Sequence, residues 1–192
     1  AEGMATLTLK ATGLPDLTVP LLVEGASGTL DESWDNDGFL IDTTSATGVL
    51  RALAVQGDGS IVAVGAAALS GGKWIIRRFD STGKPDATFD TNAGLVAPAA
   101  GTALSVQIDP STSKIVIGGG DGGQHMLVVR LNTDGSADQG FANAGTYTAS
   151  IVDFSQGSTA NAIVVRADSG IGVAAPQFGT RRGLFVGLCN AL

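Results

Sequence analysis

Two stretches of this 192-residue chain say nearly the same thing. Residues 52–89, ALAVQGDGSIVAVGAAALSGGKWIIRRFDSTGKPDATF, return in altered form over residues 103–141. This makes it a repeat protein, which constrains architecture far more than activity. The period is steady. Phe89 follows Trp34 by 55 residues, Phe141 follows Phe89 by 52, Arg130 follows Arg78 by 52, and Gly187 takes the same place 57 residues later.

From Gly38 onward the chain divides into three consecutive units, each with four short apolar runs. The first has GFLID, LRALAVQ, SIVAVGAA and KWIIRRF; the second GLVAP, ALSVQID, KIVIGGG and HMLVVRL; the third, more diverged, GTYTASI, ANAIVVRA, GIGVAAP and RGLFVGL. These runs are rich in Val and Ile and are separated by Gly-Asp-Gly, Ser-Gly-Gly, Ser-Thr-Gly-Lys-Pro and Thr-Asp-Gly-Ser, the chemistry of strands and hairpin turns. Glycine supplies the positive φ these turns need, and a neighbouring Asp or Asn closes them with its own side chain. Helix is disfavoured throughout.

Ile61-Val62-Ala63-Val64 and Ile75-Ile76 are apolar on both alternating faces, which implies a sheet covered on both sides. With no helices expected, the cover is the sheet of the next repeat. Tandem four-stranded antiparallel sheets stacked face to face around an axis are the blades of a β-propeller. The expected fold is therefore all-β and β-propeller-like, either partial or completed by oligomerisation; an open sandwich or solenoid-like stack is the alternative. The expected divisions are 1–29, a pair of lead-in strands (ATLTLKA and LTVPLLVEG about the turn Gly13-Leu14-Pro15-Asp16) or the remnant of an earlier repeat, then repeats at about 38–85, 86–137 and 138–192 within 30–192.

The units resemble the delta-sixty repeat, a bacterial tandem repeat of long exported proteins. Val55-Gln56-Gly57-Asp58-Gly59-Ser60-Ile61-Val62-Ala63-Val64-Gly65 matches the V-Q-x-D-G-x-I-V-x-x-G half of its pattern. Arg130-Leu131-Asn132-Thr133-Asp134-Gly135-Ser136-Ala137-Asp138 matches the N-x-D-G-x-x-D half that follows a strand ending in Arg and an aromatic or Leu. The second unit departs from it at Asp109-Pro110-Ser111-Thr112-Ser113, and the resemblance covers residues 30–141. It implies a propeller-like, secreted or surface-attached protein and brings no catalytic residues with it.

Composition narrows the partners. A net charge of −7 with 11 scattered Lys and Arg disfavours nucleic acid and anionic membranes, whose binding needs clustered cations. No apolar run approaches the 18 residues of a membrane span, and no leader opens the sequence, as expected of an exported chain whose signal peptide has been removed. At 15% charged residues and 44% hydrophobic the chain folds rather than staying disordered. The lone Cys189 permits no intrachain disulfide and is read as an inert thiol.

No residue stands out as catalytic, cofactor-binding or metal-ligating. His125, the only histidine, falls where the other units have Lys73 and Arg182, a position for a solvated basic side chain. Asp31, Asp35, Asn36 and Asp37 before Gly38 suggest a calcium loop but lack its alternating oxygens and closing bidentate Glu. A repeated Asx-type turn, beside which Trp34, Phe89 or Phe141 plugs the core, is the reading preferred. Gly118–Gly123 has neither the Lys-Ser/Thr nor the helix of a phosphate loop and reads as a flexible hairpin connection, and Arg181-Arg182 as a solvated pair. The expected function is a non-enzymatic structural or interaction module of a bacterial exported or cell-surface protein, working through self-association or a protein or cell-surface partner and requiring no cofactor. A glycan-binding propeller using Trp34, Trp74 or Tyr147 is the alternative; a hydrolase with a carboxylate pair ranks third.

Overall fold

The computed structural model describes residues 3–9, 17–23, 29–41, 48–67, 72–98, 100–123, 125–142, 146–149, 159–176 and 184–189. The chain separates into two units, Ala1–Ile41 and Asp42–Leu192. In the first, β1 (Gly3–Leu9) pairs antiparallel with β2 (Leu17–Val23), Gly3 opposite Val23 and Leu9 opposite Leu17. The turn over 31–38 follows later in the same unit.

The second unit is built of three antiparallel meanders. β3 (Val49–Val55), β4 (Ile61–Ala66) and β5 (Trp74–Phe79) form the first sheet. After the helix α1 (Ala87–Val96) come β6 (Thr102–Ile108), β7 (Ile115–Gly120), β8 (Met126–Leu131) and β9 (Thr146–Ala149), which form a four-stranded second sheet. β10 (Ala162–Val165), β11 (Ile171–Pro176) and β12 (Leu184–Cys189) make the third. The fold is all-β and β-propeller-like, as the sequence implies.

Each sheet buries a face against the next. Between the first and second lie Val62, Val64, Trp74 and Ile76 on one side and Val106, Ile115, Ile117 and Leu127 on the other. Between the second and third lie Val116, Met126 and Val128 against Ile163, Ile171 and Val173. The second sheet is sandwiched, so every residue of β7 and β8 is buried.

Three details depart from expectation. Helix is present: the run GLVAP, expected as a strand, is largely taken up by the end of α1. Asp86 caps that helix by accepting the N–H groups of Thr88 and Phe89, each at 3.0 Å, a local signal that outweighs weak strand propensity. Phe89 and Ala93, one turn apart, then anchor it to the core. Likewise Gly38–Ile41, the described part of the run GFLID, is not in a strand. Finally, GTYTASI does not begin a new sheet: β9 pairs with β8, Val128 opposite Tyr147. Sequence repeat and sheet are therefore out of phase by one strand, and the second sheet is closed by residues of the following repeat.

The glycine run also differs from a flexible connection, because Gly118–Gly120 is the buried end of β7. A β-bulge in β6 between Ala103 and Ser105 pushes the chain toward Gly119. A Cβ there would lie 2.2 Å from the Thr102 carbonyl oxygen and 2.6 Å from Trp74 Cζ2. The first sheet repeats the device with a bulge between Leu50 and Ala52 opposite Gly65. Gly119→Ala is expected to cost about 1–3 kcal/mol of stability through this overpacking, measured by urea unfolding. Gly57→Ala, with nothing within 4 Å of the added carbon, is the control and leaves the midpoint nearly unchanged.

Candidate functional site

The polar residues of the repeat converge where each sheet turns toward the next. Arg78, near the end of β5, donates through Nε (3.1 Å) and Nη2 to Asp86 Oδ2. Its guanidinium lies 4.5 Å from the centroid of the Phe89 ring, and Nη1 donates to the carbonyl of Thr133 in the second sheet. The second copy has the same parts. Arg130 Nε donates to Asp138 Oδ2 at 2.6 Å, and its guanidinium sits 4.6 Å from the Phe141 centroid. The spacing is identical, Arg at i, Asp at i+8 and Phe at i+11.

Backbone geometry makes the spacing work. Asp86 N–H returns to the Arg78 carbonyl at 2.9 Å, and Asp138 N–H to Arg130 at 3.1 Å. Single β-bridges, Phe79 with Pro85 and Leu131 with Ala137, close both turns. The carboxylate is thereby held against the guanidinium while the ring three residues on folds beneath it. Arg stacks on Phe by cation–π attraction and binds the carboxylate through its planar fork. The aromatic ring fills the space between sheets: Phe89 and Phe141 are both buried, in the core role expected for them, whereas Trp34 is half-buried.

Most remaining Asp residues are absorbed by turns. Oδ1 of Asp58, Asp80, Asp109, Asp121, Asp134 and Asp168 each accepts the backbone N–H two residues on, at 2.8–3.1 Å. Asp31 and Asp37 do the same with Ser33 and Phe39, while Asp35 and Asn36 take the left-handed backbone conformation that such turns use. This is the Asx-type turn read from the sequence. Among the described residues, no three His, Cys, Asp or Glu side chains converge as metal ligands.

His125 stands just before β8, half-exposed, with Nδ1 2.6 Å from Asp121 Oδ2 in the same hairpin. Of its expected equivalents, Lys73 precedes β5 and Arg182, like Arg181, lies outside the described residues. Trp74 is buried and donates from Nε1 to the Gly120 carbonyl at 2.9 Å, so it stitches two sheets together and offers no face to a sugar. Tyr147 lies on β9, its side chain outside the described set. Where the turns of the first and second sheets meet there is an open polar cleft of about 530 Å³, walled by Gln56, Asp58, Arg78, Ser113 and Asp134.

The clasp and turns hold their carboxylates ionised. The Arg78 hydrogen bond lowers the pKa of Asp86, and the Ser136 hydroxyl and amide lower that of Asp134. Burial opposes ionisation at Asp138, but hydrogen bonds from Lys114 and Arg130 prevail and its pKa also falls below the ordinary value. Asp109 behaves alike: desolvation is outweighed by the hydrogen bonds of Ser111 and its neighbours. Depressed folded-state values mean that this stabilisation is complete above the unfolded carboxylate range, about pH 4, and is lost as pH falls through the folded values. The melting temperature is expected to hold from about pH 7 to 5 and to drop below about pH 4. A melting temperature that rises on acidification would contradict this assignment.

The sequence places Arg130 and Asp138 in one matched run and marks Phe89 and Phe141 as core plugs, but it does not bring the three side chains together. The available signal was the constant i, i+8, i+11 spacing in both copies. A search of curated proteins finds no match. A family model does match, described as a domain of unknown function (DUF5122) beta-propeller, over residues 56–89 and 111–141. Both matched stretches end on the plug phenylalanine, so the chain is similar to that β-propeller family in its hairpin, clasp and core ring.

Proposed function

We propose that this chain is a non-enzymatic structural and interaction module of a bacterial exported or cell-surface protein, of the delta-sixty repeat kind. It works by laying sheet faces against further copies of itself or against a protein partner. One observation carries this reading. In the second sheet, Val106 of β6 is buried and Ile108 is partly buried against the sheet before it. Their counterparts in the first sheet, Leu53 and Val55 of β3, are 66% and 58% exposed. Large apolar side chains left open at positions that are covered in the next copy mark a place where a partner can pack. The repeat's Arg and Asp side chains support the same view, since they are engaged in the clasp and turns that shape the sheets.

The test has two parts. Protease treatment of intact producing cells should remove the protein, as expected for a surface location. The purified chain, immobilised, should retain either itself or an envelope component, and Leu53→Asp should abolish the retention. A protein shielded from protease inside the cell, together with no retention of either kind, would sink the proposal.

A further inference from the structure

We infer that the outer edge of β5 is a docking site for an added β-strand, an acidic segment of a partner protein that pairs with it as β9 pairs with β8. This site is separate from the apolar positions Leu53 and Val55 and does not depend on them. Just before β5, the Lys73 carbonyl accepts the Ala67 N–H at 2.8 Å. The odd-numbered residues of β5 therefore bond to β4, and the even-numbered Trp74, Ile76 and Arg78 direct their N–H and C=O groups outward. Met126, Val128 and Arg130 hold the same places 52 residues on. There β9 covers the edge, with Tyr147 opposite Val128 and Ala149 opposite Met126.

On β5 the cover is partial. The Arg78 N–H donates to Asp90 Oδ1 of α1 at 3.0 Å, and the Arg78 carbonyl accepts the Asp86 N–H at 2.9 Å. Beyond Arg78, among the described residues, no strand and no hydrogen bond reaches the outward backbone groups of Trp74 and Ile76. A cleft of about 250 Å³ lies there instead, lined by Lys73, Trp74, Ile75 and Arg77 on the β5 side and by Gly94 and Ala97 at the end of α1. An unpaired row of backbone groups beside such a space accepts a further strand through main-chain hydrogen bonds.

The chain's own next run does not fill the place. Residues 94–97 stand 52 before β9, but they end and cap α1. Residues 98–101 then lead into β6, whereas residues 150–161 join β9 to β10. From a fourth strand of the first sheet to β6, three strand spacings and one sheet spacing come to about 17 Å in a straight line. That is about the full stretch of the chain from Ala97 to Thr102, with nothing left to round the strand ends. Charge selects the partner. On a strand placed like β9, the residues in the positions of Thr146 and Thr148 fall on the face of Arg77 and Ile75, beside the exposed Lys73. Arg77 Nε lies 3.6 Å from Asp90 Oδ2, and Lys73 adds a second cation, so carboxylates at those two positions complement the edge.

The experiment uses the full chain and residue-resolved amide hydrogen exchange by NMR. In the protein alone, the Trp74 and Ile76 amides should exchange at least about tenfold faster than those of Met126 and Val128. A peptide of residues 145–151 carrying Thr146→Glu and Thr148→Glu should slow them by a similar factor and leave Met126 and Val128 unchanged. The same peptide N-methylated at Tyr147 and Ala149 should have no effect, because its ladder donors are blocked. A peptide carrying Thr146→Lys and Thr148→Lys should bind several-fold more weakly, and Lys73→Glu in the protein, at an exposed position, should reverse that preference. Leu53→Asp should leave peptide binding as it is, so this inference and the one above fail separately. Trp74 and Ile76 amides already as slow as those of Met126 and Val128 in the protein alone would show a filled edge and overturn the inference. Equal binding of the acidic and lysine peptides, or no added protection with the acidic one, would do the same.

Discussion

Truncating Phe89 to alanine is expected to destabilise the protein by about 3–5 kcal/mol and to lower the melting temperature by on the order of 10 °C. The ring is fully buried at 0% exposure in the core between the first and second sheets. Two neighbours fix it in place. The Arg78 guanidinium covers one side, and the backbone of Gly135 approaches so closely that a Cβ there would lie 3.0 Å from the ring. Neither can collapse into the space left by a methyl group, so the cavity persists. Leu95, on the same helix but 81% exposed, is the control, and Leu95→Ala should change stability by less than about 0.5 kcal/mol. Equal effects at the two positions in calorimetric melts would refute the plug assignment.

Neutralising Asp138 is the second large effect. Its carboxylate is buried and is shared by Arg130 at 2.6 Å and Lys114 Nζ at 2.8 Å. Asp138→Asn keeps the shape but leaves two cations facing an amide, one of them the buried Arg130. Removing one partner of a buried ion pair costs about 3–5 kcal/mol, because the remaining charge is stranded away from water. The first copy gives an internal comparison. Asp86→Asn alters a pair whose members are partly exposed, and asparagine caps a helix as well as aspartate does. A loss of no more than about 1 kcal/mol is expected there. Urea unfolding of both variants checks the contrast, and an Asp86→Asn loss equal to that of Asp138→Asn would mean that burial does not set the strength of the clasp.

The contrast between the two copies shows where sequence reading stops. Arg78 and Arg130, Asp86 and Asp138, and Phe89 and Phe141 are aligned by the repeat and look interchangeable. Their difference in burial comes from position in the stack: Lys114 joins the Asp138 carboxylate, while Arg78 opens onto the polar cleft beside Asp58 and Asp134. Turn chemistry was legible because an Asx turn is local, needing only an Asp and an amide two residues away. Helix α1 was not, because its sequence is only weakly patterned, with Phe89 and Ala93 as its buried residues. Its start is set by one capping carboxylate. GTYTASI reads as a strand from its sequence, but not as the partner of β8, since edge pairing between β8 and β9 leaves no mark on either strand alone.

By itself, the sequence determined the three central strands and the turns of the repeat and its period, because these follow from the alternation of apolar residues and from Gly, Asp and Asn at the turns. It also determined that successive sheets must cover one another, because both faces of Ile61–Val64 are apolar. Only the tertiary structure decided which strand closes which sheet and that Arg, Asp and Phe form one clasp. It also decided which copies of the apolar face are buried and which, at Leu53, Val55 and Val164, meet solvent. The physical reason is that periodicity repeats at every copy, whereas burial depends on what lies against each copy.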